Sequence, residues 1–82
     1  MADAPSLELF HATNDPASAA VRSFVTAAQL ESQVRFRNVF YEEVARDLAA
    51  HGGSRTPAVW DGAVLHEGQE AALAVLARLR GV

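Results

Sequence analysis

Ala12-Thr13-Asn14-Asp15-Pro16-Ala17-Ser18 is the stretch on which the fold turns. Before it, Leu7-Glu8-Leu9-Phe10 alternates apolar and polar positions as a half-buried strand does, which predicts β1 over Leu7–His11. After it, Ala17, Ala20, Val21, Phe24, Val25 and Ala28 recur at offsets of three and four, the apolar stripe of a helix ending near Leu30. Between them, Asn14 or Asp15 can accept hydrogen bonds from the unpaired amides at a helix start. Pro16 fits the first helical position because it has no N–H to lose, and Asp15 suits the positive end of the helix dipole. The stretch therefore reads as a strand-to-helix turn.

The same reading extends in both directions. Met1 to Ser6 is expected to be a frayed lead-in. Val34-Arg35-Phe36-Arg37 alternates again and predicts a second strand near a sheet edge, with Val34 and Phe36 inward and both arginines towards solvent. From about Phe40 the helical period returns, with Phe40, Val44 and Leu48 on one side, Glu42, Glu43, Arg46 and Asp47 on the other, and Gly52-Gly53 as the stop. Ala58-Val59-Trp60 and Ala63-Val64-Leu65 flank Asp61-Gly62 as two strands joined by a two-residue hairpin turn. Gly68 breaks the second of these, and Ala72, Leu73, Leu76 and Leu79 mark a last helix, with Arg78 and Arg80 near its negative end. The predicted order is β-α-β-α-β-β-α, in one α/β domain spanning residues 1–82.

Composition narrows the function classes. The net charge is −3, and the seven basic residues, all Arg, are scattered from Arg22 to Arg80. That lacks the basic stripe of a nucleic-acid binder. No apolar run approaches the roughly 20 residues of a membrane span, and Met1 to Ser6 is unlike a signal peptide, so a cytoplasmic protein is expected. The lean towards Ala, Leu, Val and Arg reads as that of a GC-rich bacterial source. There is no cysteine, which removes disulfides, thiolate nucleophiles and thiolate metal ligands together.

The element order, the Thr56-Pro57 pair ahead of the third strand and the Asp61-Gly62 turn behind it resemble the thioredoxin fold in its minimal, glutaredoxin-sized form, with a four-stranded mixed sheet flanked by helices. Asp15-Pro16-Ala17-Ser18 stands where glutaredoxins carry Cys-Pro-Tyr-Cys, which puts Asp15 at the nucleophilic position and Ser18 at the resolving one. Ala12 fills the place of a Lys common in that family. Arg55-Thr56-Pro57 is similar to the family loop whose proline is cis. In that case the Thr56 backbone faces the Asp15 turn and can pair with an extended peptide or a glutathione cysteinyl unit. The run Pro57 to Gly68 is similar to the N-terminal domain of glutathione transferases, with Glu67 matching their Glu and Gly68 replacing their Ser. The backbone N–H groups of Gly68 and Gln69 would then hold a γ-glutamyl carboxylate. Over a shorter stretch, the loop after β1 is similar to that of the KaiB family of clock proteins, which use this fold for protein contacts.

Thiol–disulfide exchange requires a thiolate, so the resemblance implies a redox-inactive domain. The expected role is binding a protein segment or small ligand at the first helix's N-terminus and the Thr-Pro loop. The alternatives are a residual glutathione site or a KaiB-like protein-interaction module. The candidate binding residues are Asp15, Ser18, Arg55, Thr56, Pro57, Glu67, Gly68 and Gln69, with glutathione the one small-molecule ligand considered. Asp15 doubles as a helix cap and Ser18 as a helix-surface hydroxyl; a nucleophilic Ser18 would need His11 as its base, with no third residue evident to orient it. His11, His51 and His66 are too dispersed to suggest a metal site.

Overall fold

A computed structural model describes residues 7–79 of the chain; the expected lead-in at Met1 to Ser6 and Arg80 lie outside the described residues. The elements are β1 (Leu7–His11), α1 (Pro16–Ala27), β2 (Val34–Asn38), α2 (Glu42–Ala50), β3 (Ala58–Trp60), β4 (Leu65–Glu67) and α3 (Gln69–Leu79). The four strands form one mixed sheet in the order β2-β1-β3-β4. β1 runs parallel to β2 in the register Leu7 to Val34 through His11 to Asn38, and antiparallel to β3.

Strand alternation sends successive β1 side chains to opposite faces, and each face has its own core. Leu7 and Leu9 pack with Val34 and Val59 against Val21 and Val25 of α1 and Ala72, Val75 and Leu76 of α3. On the other face Phe10 and Ala58 meet Val44 and Leu48 of α2, with Trp60 and Leu65 at the margin. β1 and β3 thus sit between two apolar layers. The result is a small α/β domain with a four-stranded mixed sheet and three helices. No helix among the described residues is long and apolar enough to cross a membrane.

Five local expectations are corrected. α1 ends at Ala27, before Leu30, because Gln29 adopts a left-handed φ of 58°. The Gln29 amide then bonds Thr26 O and the Leu30 amide bonds Val25 O. This is the Schellman closure, sealed by Leu30 joining Val25 in the core. Along α1 the buried positions are Ser18, Val21 and Val25, while Ala20 is exposed.

On β2 the arginines differ in their surroundings. Arg37 lies over the Phe10 ring, 5.5 Å from its centroid, and its guanidinium donates to Glu8 and Asp47. Its side chain is 12% exposed, whereas Phe36 at the sheet edge is 41% exposed. Phe40 is no part of the α2 stripe: Asn38 Oδ1 captures its amide at 2.9 Å, the helix begins at Glu42, and Phe40 is left 83% exposed.

The hairpin connection is four residues long, since Trp60 pairs with Leu65. Asp61 Oδ1 accepts the amides of Ala63 (2.8 Å) and Val64 (2.7 Å), and Oδ2 meets His66 Nε2 at 2.8 Å. These bonds, with that from His66 largest, hold the Asp61 pKa down at about 2.

α2 closes as α1 does, with Gly52 at φ 86° and the Gly53 amide bonded to Leu48 O. Nothing lies within 4 Å of a side chain added at Gly52, so its dihedral alone disfavours other residues. Gln29→Gly is expected to raise stability by about 0.5–1 kcal/mol and Gly52→Ala to lower it by about 1 kcal/mol. Urea unfolding midpoints at unchanged m-value check both.

Candidate functional site

Parallel β1 and β2 end where antiparallel β3 begins and β4 ends, since Phe10 pairs with Ala58 and Ala58 with Glu67. Four connections therefore gather at one end of the sheet: the turn of Ala12 to Asp15, the Asn38 to Tyr41 segment, the Ser54 to Pro57 loop and the β4–α3 junction at Gly68. With strands about 4.8 Å apart, this rim is roughly 14 Å wide.

At its centre is a directed chain of hydrogen bonds. The Ala12 amide donates to Ser18 Oγ (3.1 Å), Ser18 Oγ donates to Asp15 Oδ2 (2.7 Å), and Thr56 Oγ1 donates to the same Asp15 oxygen (3.2 Å). Ser18 is completely buried, so the expected surface hydroxyl is an internal link. α1 has room for it because Ser18 sits three residues before Val21 on the buried stripe. Asp15 occupies the N-cap position, yet its side chain makes no cap hydrogen bond; its Oδ2 accepts the two hydroxyls. Its pKa is lowered from the ordinary value, first by the Ser18 hydroxyl, against partial desolvation, and further by Thr56 and the nearby amides of Ala17 and Ser18.

Arg22, one turn beyond Ser18, grips the same residue, Ala12, by its carbonyl. Its Nη1 donates to Ala12 O (3.1 Å) and meets His11 Nδ1 (3.1 Å). His11 is buried, and burial, reinforced by the Arg22 charge, lowers its pKa. The neutral ring accepts at Nδ1 from Arg22 and makes no bond to Ser18, so the Ser–His pairing considered from the sequence does not form. The other histidines lie apart, His51 stacked on Trp60 at 3.8 Å and His66 on Asp61.

The remaining candidates form a second cluster. The Thr56–Pro57 peptide is cis, and buried Pro57 accepts the Gly68 amide at its carbonyl (2.8 Å). Glu67 Oε2 accepts the amides of Ser54 (2.9 Å) and Arg55 (3.3 Å), holding the loop against β4. Gly68 has φ 98°, and the Arg55 guanidinium lies 3.5 Å from where its side chain would start. The Gly68 amide thus bonds Pro57, and Glu67 Oε2 bonds the Ser54–Arg55 loop. Gln69 is exposed at the start of α3. Thr56 keeps both its backbone N–H and C=O without a hydrogen-bond partner among the described residues.

Two rim residues were not singled out from the sequence as site candidates. Phe40 and Tyr41 are 83% and 61% exposed and pack edge to face at 6.1 Å. They adjoin the turn through Asn38, whose Nδ2 donates to Thr13 Oγ1 (3.1 Å). The available signal was Asn38 itself, an Asx-type start placed too early for Phe40 to belong to the helix. Among the described residues no group of three or more His, Asp or Glu could hold a metal ion.

Set against protein-family models, curated proteins and solved structures, the chain matches none. The arrangement at the rim therefore carries the functional reading.

Ser18→Ala is expected to cost about 1–3 kcal/mol, because the Ala12 amide loses its acceptor in a partly buried position; chemical denaturation measures it. The same change should raise the Asp15 pKa more than Thr56→Val does, as read by carboxyl-carbon NMR titration. A depressed carboxylate pKa stabilises above its unfolded value of 3.8 and loses that contribution as pH falls through the folded value. Both variants should flatten that acid limb. For His11 the folded pKa is also depressed, but for a base: stability is full above about 6.5, the unfolded value, and declines below it as the unfolded chain takes up the proton. His11→Gln should remove that decline from a series of melting temperatures against pH.

Proposed function

We propose that this chain is a non-redox member of the thioredoxin-fold class, glutaredoxin-like in size, that binds an extended protein segment across the rim. The supporting observation is Thr56. Its side chain is tied to Asp15 while its backbone N–H and C=O are unpaired beside buried Pro57. A backbone edge so presented offers hydrogen bonds to another main chain, as in strand addition.

The surroundings suit a peptide better than chemistry. Disulfide exchange needs a thiolate, and the chain has no cysteine. Asp15 and Ser18 satisfy each other, and a nucleophile would need a base aimed at it. The exposed aromatics Phe40 and Tyr41 at one side of the rim can cover an apolar side chain, and the exposed Arg55 guanidinium at the other can meet a carboxylate. A segment of four or five residues spans that width. The fit for a γ-glutamyl carboxylate is poorer, because of the two amides it would use, those of Gly68 and Gln69, the Gly68 amide is occupied.

Peptide-display selection followed by ¹⁵N NMR titration tests this. Selected peptides should shift the Asp15, Arg55 and Thr56 amides, and Arg55→Glu should weaken them about tenfold, or 1.4 kcal/mol. Millimolar glutathione should leave the Thr56 and Gly68 amides unmoved. Peptides that bind indifferently to Arg55→Glu and shift other residues would place recognition elsewhere and defeat the proposal.

A further inference from the structure

β2 closes one side of the sheet, and no strand among the described residues pairs with its outer edge. The Leu7 amide bonds Gln33 O and the Val39 amide bonds His11 O, so the odd-numbered residues of this segment turn their backbone groups towards β1. The strand period of two then turns those of Val34, Phe36 and Asn38 outward. Of these the Asn38 carbonyl is taken by the Tyr41 amide. Among the described residues, Val34 and Phe36 keep both groups unpaired, and Asn38 its N–H.

Beside this edge, between β2 and the outer flank of α1, runs an open groove of about 530 Å³ lined by Ala19, Arg22, Ser23, Thr26, Ala27 and Phe36. Its floor is the Phe36 ring, 41% exposed in the middle of the edge. No acidic side chain lines it. The Arg22 guanidinium is fixed in place through Nη1 by Ala12 O and His11, which leaves its other donors without partners among the described residues. Arg35, on the opposite face of the same edge, is exposed and in no ion pair among the described residues. The chain as a whole carries −3, yet this edge presents one cation, Arg22, beside the Phe36 ring and another, Arg35, on the other face, neither in an ion pair among the described residues.

We infer that the β2 edge and its groove are a second recognition surface, which takes an acidic extended segment of a partner protein as a fifth strand, distinct from the rim. An apolar side chain of the added strand rests on Phe36. A carboxylate two residues along, on the same face, meets Arg22, and one on the opposite face meets Arg35. Main-chain bonds to Val34 and Phe36 supply affinity, and the charges select the partner. A second copy of this chain is disfavoured: antiparallel pairing about Phe36 sets Arg35 opposite Arg37 at both ends, and like charges directly opposite destabilise a strand pair.

The probe is the pentapeptide acetyl-Glu-Glu-Leu-Glu-Glu-amide, titrated into the ¹⁵N-labelled chain. Millimolar peptide is expected to shift the amides of Val34, Phe36 and Asn38 with those of Ser23 and Ala27, leaving Thr56 unmoved. The Gln-for-Glu peptide and the Arg35→Glu variant, folded as judged by its amide spectrum, should each bind about tenfold more weakly. Of two peptides N-methylated at odd or even positions, one should lose binding. Absence of β2 shifts at millimolar peptide, equal binding of the Gln peptide, or indifference to both N-methylation patterns would overturn the inference. So would a dimer in sedimentation that already masks the β2 amides.

Discussion

One carboxylate oxygen, Asp15 Oδ2, receives two hydroxyl hydrogen bonds, from Ser18 in the first turn of α1 and from Thr56 forty-one positions along the chain. The constraint is stronger than either bond suggests, because Ser18 is wholly buried and its own acceptor site is filled by the Ala12 amide. A buried hydroxyl with both roles used has one orientation, and that orientation fixes which oxygen of Asp15 faces Thr56. The end of β1, the start of α1 and the loop before β3 are thereby held as one unit. Arg22 adds a grip on the Ala12 carbonyl from the next turn of the helix.

The opposite face of the sheet has its own tie. Arg37 joins Glu8 of the central strand to Asp47 of α2 and lies across Phe10. Both devices bind β1, an interior strand with helices on both faces, to elements that arrive later in the chain. The rim inherits its shape from them: Thr56 presents an unpaired main-chain edge because its side chain is anchored, and Arg55 is positioned because Glu67 takes its amide. Function is read from such placements rather than from the fold, which hosts many roles.

Much of the architecture was legible in the residues. Asp15-Pro16 marks a helix start, period-two runs mark strands, and the seven elements follow in the expected order. What escaped reading depends on groups distant in sequence. Ser18 counts as polar in any periodicity, and only the pairing of β1 with α1 reveals that its hydroxyl is internal. Alternation along β2 cannot say which face a second helix covers, so Arg37 and Phe36 were assigned the wrong exposures. Phe40 fits a stripe with Val44 and Leu48, but a single bond to Asn38 Oδ1 delays the helix past it. Asp61-Gly62 suits two- and four-residue turns alike, and the Asp61 carboxylate, by taking the Ala63 and Val64 amides, selects the longer. At the site, Asp15, Ser18 and Thr56 were expected near one another, whereas the commitment of the Gly68 amide to Pro57 is a tertiary fact.

The bracket at Asp15 is tested most directly by a double-mutant cycle on unfolding free energy, combining Asp15→Ala with Thr56→Val. The expected result is that Thr56→Val destabilises the native background and has almost no effect once Asp15 is alanine, because the hydroxyl then has no carboxylate to meet. Equal losses in the two backgrounds would contradict the bracket and, with it, the reading of the rim as a surface anchored from beneath.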